Sequence, residues 1–264
     1  MAQQKQEWGS RIGVILAVSG SAVGLGTFLR FPGQAAQNGG GAFLIPYFIA
    51  LLLVGIPIGW AEWSMGKYGG RRGFHSAPAI FGIWGKGGAA RYLGASAVLL
   101  PMCVYFYYVM IESWCLNYAV SYATGAFAID TAQALTDQRP ASAAFFAEAT
   151  GSAADGVAAD GGIHRSVRFW LVTSVINLWH IFRGVSRGIE SFCRWAMPAM
   201  IVCAIVVLVR VLTLGTPDPS LPEQSVATGL NFMWNPDFSK LGDFQTWLAA
   251  AGQIFFSLSV GFGI

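Results

Sequence analysis

Charged side chains are what this 264-residue sequence has least of. Only 11% of its residues are Asp, Glu, Lys or Arg, against about a quarter in soluble domains. That shortage excludes an ordinary water-soluble globule. No block of five like charges occurs, so the sequence carries no electrostatic footprint for nucleic acid. Cysteines are few, and Cys103, Cys115, Cys193 and Cys203 show no C-x-x-C or other metal-ligand spacing. They fit small residues in apolar surroundings. His75 and His164 sit in loops and form no ligand set. A cleaved leader is not expected, because the first apolar run contains helix-breaking glycines, carries Arg30 and lacks a small-x-small exit.

What is present is apolar length. Hydrophobic residues make up 55% of the chain, and the mean hydropathy is +0.53. Six stretches are predicted to span a membrane: 11–37, 41–68, 91–124, 166–183, 191–213 and 244–264. They form a single all-α membrane domain over 1–264, with a long outer loop at 125–165. Arg165, Arg168 and Arg183 at the ends of the fourth stretch can snorkel outward. With the N-terminus inside, the inner segments hold ten cations and the outer segments six, which favours a cytoplasmic N-terminus. The loop 125–165 carries no chemical motif; a short helix is expected near Ala141–Ala149. Segment 69–90 mixes basic residues with Phe, Ile and Trp, as an interfacial helix does. Residues 214–243 read as a capped surface connection.

One stretch carries most of the functional information. Val18 to Pro32 reads V-S-G-S-A-V-G-L-G-T-F-L-R-F-P, with glycines at 20, 24 and 26 interrupting an apolar run. Each glycine weakens a helix by roughly 1 kcal/mol relative to alanine. A helix broken inside lipid has to be buried in protein or line a cavity. Its half-helix ends then suit ions and carboxylates. Glycines that merely permit close helix packing are the plainer alternative. A second copy of the pattern favours the break: Val23-Gly24-Leu25-Gly26 is echoed by Val260-Gly261-Phe262-Gly263. Paired Gly-interrupted spans point to a transporter's binding site. The sequence ends at Ile264, inside this second segment, so the architecture that the two breaks imply is expected to be incomplete here.

Several motifs recur in one order along nearly the whole chain. They are the run from Glu7-Trp8 to Pro32, Asn38-Gly39-Gly40-Gly41-Ala42-Phe43, Pro46-Tyr47, Gly55-Ile56-Pro57, Glu62-Trp63-Ser64-Met65-Gly66, Tyr107-Tyr108, Glu112-Ser113-Trp114, Gly188-Ile189-Glu190, Gly229-Leu230-Asn231 and Gly252-Gln253-Ile254-Phe255-Phe256. Together they resemble the neurotransmitter:sodium symporter family, in its bacterial leucine-transporter-like branch. The resemblance implies two inverted five-helix repeats, this chain supplying the first repeat and half of helix six, with helices one and six broken. It also implies sodium-coupled import of a small hydrophobic amino acid by alternating access, in the cell (inner) membrane.

The same resemblance assigns residues. The carbonyl of Ala22 with Thr27 and Ser257 would contribute to one sodium site, and carbonyls of Gly20 and Val23 to half of a second, both sites being incomplete in this chain. Ser21, Ala22, Leu25 and Gly26 would meet the substrate's backbone. Val104, Tyr108, Phe256, Ser257, Ser259 and Phe262 would form the rest of its pocket, the Tyr108 hydroxyl taking the carboxylate. Arg30 resembles an outer gate, Trp8 and Lys5 an inner one, and Glu62 a support for unwound backbone. Thr27, Ser257 and Lys5 replace the usual Asn, Thr and Arg. Gly24 stands where amine transporters carry Asp, which implies an amino-acid substrate. Chloride dependence and homodimerisation are left open. A transport-incompetent half-transporter, or a channel-like assembly partner, is the alternative reading. Enzymatic function is not expected: Gly184-Val185-Ser186-Arg187-Gly188 has the G-x-S-x-G spacing beside His180, but that motif needs a strand-to-helix turn. Glu112 is expected either to lie near an interface or bonded to backbone, or to have a functional role, because an ionised carboxylate costs at least ~2.5 kcal/mol in an apolar span.

Overall fold

The computed structural model describes residues 8–24, 26–85, 88–126, 135–150, 165–217, 219 and 221–259. No strand occurs among them. Helix α1 (Arg11–Ala22) starts where it does because Ser10 adopts an extended conformation and its hydroxyl accepts the Gly13 N–H at 3.0 Å, an N-cap. The helix stops at Val23, with φ −101° and ψ 63°. A wide π turn (Gly26–Arg30) then leads into α2 (Phe31–Gln37), whose Pro32 lies in the first turn, where a missing N–H costs nothing. The two halves are bent by 44°.

A tight turn at Gly40–Phe43 precedes α3 (Leu44–Ala50), a second π turn (Leu51–Gly55) and α4 (Ile56–Gly70). Then come α5 (Ala77–Trp84), α6 (Gly88–Ala123), α7 (Leu135–Thr150) and α8 (Arg165–Phe182). A third π turn (Val185–Glu190) opens α9 (Ser191–Leu212). Finally α10 (Val226–Trp234) and a 3-10 turn at Phe238–Gly242 lead to α11 (Phe244–Ser257).

Among the described residues, three helical runs are long and apolar enough to cross a membrane: Gly40–Gly70, Gly88–Ala123 and Val185–Leu212. The bent pair α1–α2 makes a fourth. The expected fourth stretch falls on α8, which does not meet that measure, and the sixth begins with α11, which is 14 residues long. Glycines 184 and 188 flank and enter a helical turn rather than a strand-to-helix turn, so the nucleophile-like spacing has no elbow to sit on. The short helix expected near Ala141–Ala149 is longer, Leu135–Thr150.

Contacts divide the chain into two compact units, one of 7–101 with 190–264 and the other of 1–6 with 102–189. In the first, Ala35, Phe43 and Ala250 form a buried core. The Phe31 ring meets Tyr47 edge-on at 5.1 Å. The Asn38–Gly41 run explains itself here. Gly40 has φ +63°, and a Cβ on it would strike the Phe232 carbonyl, so only glycine lets the segment before the 3-10 turn dock. Asn38 Oδ1 accepts the Thr246 hydroxyl at 3.1 Å, fixing α11 against the end of α2.

In the second unit, Ser113, Asn117 and Ser121 form a fully buried polar stripe at four-residue spacing on α6. Ser113 and Ser121 donate to carbonyls of their own helix. Asn117 Nδ2 reaches the Ala149 carbonyl at 3.2 Å and holds α7. Glu112 Oε2 accepts from Asn177 Nδ2 of α8 at 2.7 Å, so its carboxylate is hydrogen-bonded, as the cost of leaving it bare requires.

Candidate functional site

The C-terminal end of α1 and the turn just past α11 border one cavity of about 470 Å³. Val18, Ser21 and Ala22 enter its wall from the last turn of α1. Gly55 and Glu62 come from the run through α3 and α4, and Leu258 from just past α11. The C-terminal ends of α1 and α11 therefore face the same space. A helix C-terminus carries roughly half a negative charge from its unsatisfied carbonyls, so two of them favour a cation.

The break in α1 is narrower than expected. Helix persists through Gly20 to Ala22, and the interruption begins at Val23. Gly20 instead faces Met197 and Cys193 of α9, where a Cβ would lie 3.3 Å from the methionine sulfur. At that position the glycine also serves close packing. Across the gap, the Thr27 hydroxyl donates to the Ala22 carbonyl at 2.8 Å, and the Gly24 carbonyl accepts the N–H groups of Thr27 and Phe28 at 3.1 and 3.2 Å.

The end of α1 and the turn after α11 are joined directly. Ser21 donates its hydroxyl to Ser259 Oγ at 3.1 Å, and the Ser259 hydroxyl reaches back to the Ser21 carbonyl at 3.4 Å. Ser259 has φ +50°, a left-handed conformation that costs a residue with a side chain on the order of 1–3 kcal/mol. Gln253, fully buried, donates Nε2 to the Gly26 carbonyl at 2.9 Å and to Ser257 Oγ at 3.2 Å. Its Oε1 has no hydrogen-bond partner among the described residues. The Phe256 ring lies so close over Gly26 that no Cβ would fit there. The Arg30 guanidinium stands 5.3 Å from the centre of that ring. Ala22, Thr27 and Ser257 thus offer carbonyl and hydroxyl oxygens, which suit a hard cation.

The other expected residues distribute as follows. Trp8 is 41% exposed, one residue outside the α1 cap region. Val104 and Tyr108 are half-buried on α6 and belong to the other unit; the Tyr108 ring meets that of Tyr107 at 6.4 Å. Lys5, Leu25 and Phe262 lie outside the described residues.

Sequence reasoning gave no role to Glu190. Its carboxylate, 1% exposed, accepts the Gly9 N–H at 2.7 Å and the Ser10 hydroxyl at 2.8 Å. Arg194 adds an ion pair at 3.4 Å. Gly13 makes room, since a Cβ there would strike the Glu190 side chain. The start of α1, whose far end lines the cavity, is fastened to α9 by this group. A carboxylate at the mouth of an apolar run was the available signal. Gln253 carried the same kind of signal, an amide inside an apolar helix.

A set of apolar helices, one interrupted beside a mainly apolar cavity, is the architecture of a multi-pass membrane protein with a site at its helix break. Residues 5–133 and 124–264 match the model of the Sodium:neurotransmitter symporter family. The chain belongs to that family, and the family is not one of enzymes. It is similar to an uncharacterized sodium-dependent transporter of Methanocaldococcus jannaschii, 34% identical over 99% of this chain and 48% of the relative. It is also similar to a human sodium-dependent neutral amino acid transporter, 29% identical over 99% of this chain and 36% of that protein. The crystal structure of MhsT in complex with L-phenylalanine superposes with a TM-score of 0.74 at 32% identity, covering 98% of this chain and 52% of MhsT. The all-α, leucine-transporter-like fold is therefore established. The chain spans about half the length of the relatives it matches.

Proposed function

We propose that this chain is the N-terminal part of a sodium-coupled symporter for a small hydrophobic amino acid and contributes part of its ion and substrate sites. The observation that supports the reading most is the meeting of the two breaks, Ser21 with Ser259 and Gly26 with Gln253 and Phe256, beside a cavity of about 470 Å³. One sodium ion takes the Ala22 carbonyl, Thr27 and Ser257, and a second takes carbonyls of Gly20 and Val23. The first of these sets has geometric support, because Thr27 and Ala22 oxygens lie 2.8 Å apart. The second has less, since Gly20 is still within α1.

The substrate's backbone meets Ser21, Ala22, Leu25 and Gly26. Its carboxylate goes to the Leu25 and Gly26 amides and the Tyr108 hydroxyl. Val104, Phe256, Ser259 and Phe262 take its side chain, while Arg30 closes the site from outside and Trp8 with Lys5 from within. Glu62 supports the unwound backbone beyond α11, beside Leu258 in the cavity wall. Gly24 offers no carboxylate for an amine, which favours a substrate that brings its own. Apolar wall residues such as Val18 and Leu258 favour a hydrophobic one, in keeping with the phenylalanine bound by MhsT. The protein sits in the inner membrane with its N-terminus in the cytoplasm.

Sodium-dependent binding of radiolabelled leucine or tryptophan, followed by counterflow in proteoliposomes, tests the reading. Binding that ignores sodium sinks it. Sodium-dependent binding without counterflow favours the half-transporter reading, which the coverage of about half of each relative makes worth separating.

A further inference from the structure

Between Glu62 and Glu112 the sequence has no acidic residue, yet it places Lys67, Arg71, Arg72, Lys86 and Arg91 there. The fold brings most of these cations to one edge. Helix α5 packs between the end of α4 and the start of α6 through three glycines. A Cβ on Gly69 would collide with Ile80, one on Gly94 would lie 2.6 Å from Pro78 Cα, and one on Gly82 would lie 2.9 Å from Arg91 Nε. Larger residues would push the three segments apart. The edge they form sits at adjoining ends of two apolar runs, Gly40–Gly70 and Gly88–Ala123.

Aromatic rings accompany the charges. The Arg72 guanidinium lies 3.6 Å from the centre of the Tyr68 ring, and Tyr68 meets Trp84 edge-on at 5.8 Å. Trp84, Phe74 and Tyr92 are exposed, as are Lys67, Arg71, Arg72 and Arg91. Trp and Tyr at the end of an apolar run sit at headgroup level. Cations beside them meet the phosphates of the bilayer, where each contributes about a fivefold gain in affinity for an anionic surface.

The geometry points to this edge as a binding surface for anionic phospholipid headgroups, with Arg71, Arg72 and Arg91 holding the phosphate and Trp84, Phe74 and Tyr92 lying in the interfacial layer. Lipid is the occupant rather than a free anion because the cations border spans and aromatics, not a closed pocket. The assignment rests on membership of a membrane-protein family and not on sodium coupling, so its failure leaves the transport reading intact.

The test is native mass spectrometry of the full chain in detergent, titrated with phosphatidylglycerol or phosphatidylcholine. Phosphatidylglycerol is expected to bind more tightly. The triple variant Arg71→Gln, Arg72→Gln, Arg91→Gln loses about 100-fold of that preference, at about fivefold per cation. The corresponding triple Lys variant keeps it, and so does Arg210→Gln with Lys240→Gln, which removes cations elsewhere. Equal binding of the two lipids overturns the proposal. So does a preference that survives the Gln triple, or one lost equally in the Lys triple. Displacement of the lipid by millimolar inorganic phosphate overturns it too, in favour of a free-anion site.

Discussion

Replacing Gly26 with alanine tests the join between the two broken helices. The added methyl group would land on Cδ1 and Cε1 of Phe256. Gly26 is buried, and its carbonyl is held at 2.9 Å by a glutamine that is itself fully buried. Neither partner retreats freely, so the substitution costs about 1–3 kcal/mol, the usual range for overpacking. Phe256→Leu alone removes ring contacts and costs on the order of 1 kcal/mol. In the double variant the smaller side chain makes room for the methyl group, so the two costs do not add. We expect a favourable coupling of about 1–2 kcal/mol, within the range for residues in contact. Unfolding by SDS in mixed micelles, followed by circular dichroism, gives the four free energies of the cycle. Additivity to within about 0.5 kcal/mol would falsify the contact, and with it the placement of Phe256 over the break.

Three further outcomes are expected. Ser10→Ala removes the cap of α1 and one donor to Glu190; it lowers stability by about 1 kcal/mol, and amide exchange at residues 10–13 accelerates, whereas unchanged exchange there would count against the fastening of α1. Gln253→Leu strips the Gly26 carbonyl of its donor at constant helix position and costs about 1–3 kcal/mol, read by the same SDS titration; a neutral result argues against the bridge. Asp237 is held below the usual carboxylate range, chiefly by the Ser239 hydroxyl, then by the Ser239 N–H, with Lys240 adding a smaller effect. Because its pKa is lowered by folding, its contribution to the turn at Phe238–Gly242 is complete above the ordinary Asp value and is lost as pH falls through the depressed one. Hydrogen exchange of residues 238–242, corrected for intrinsic rates, should hold steady from pH 7 to about 5 and rise only below about 4.

Much of the fold was legible because lipid restricts what a backbone can do. Apolar length placed the helices, and glycine inside an apolar run placed the break. Hydropathy does not say which glycine unwinds a helix and which only thins it, so Gly20 was drawn into the break although it packs on Met197 and Cys193. The resemblance supplied Ser21, Thr27, Ser257 and Ser259; of these the structure bonds Ser21 to Ser259, Thr27 to the Ala22 carbonyl and Ser257 to Gln253. Glu190 escaped because its partners lie 180 and 181 residues away, a separation that no local pattern encodes. The helix at Leu135–Thr150 was only half visible, its polar first turn reading as loop.

The serine pair that ties helix one to helix six spans 238 residues, and the amide that steadies Gly26 reaches across 227. During synthesis the first segment therefore enters the bilayer long before its stabilising partner exists. Until α11 is inserted, the backbone freed where α1 ends at Val23 has to be sheltered by water, translocon or neighbouring helices. Nascent chains halted before Gln253 should accordingly be the form most exposed to quality-control proteases.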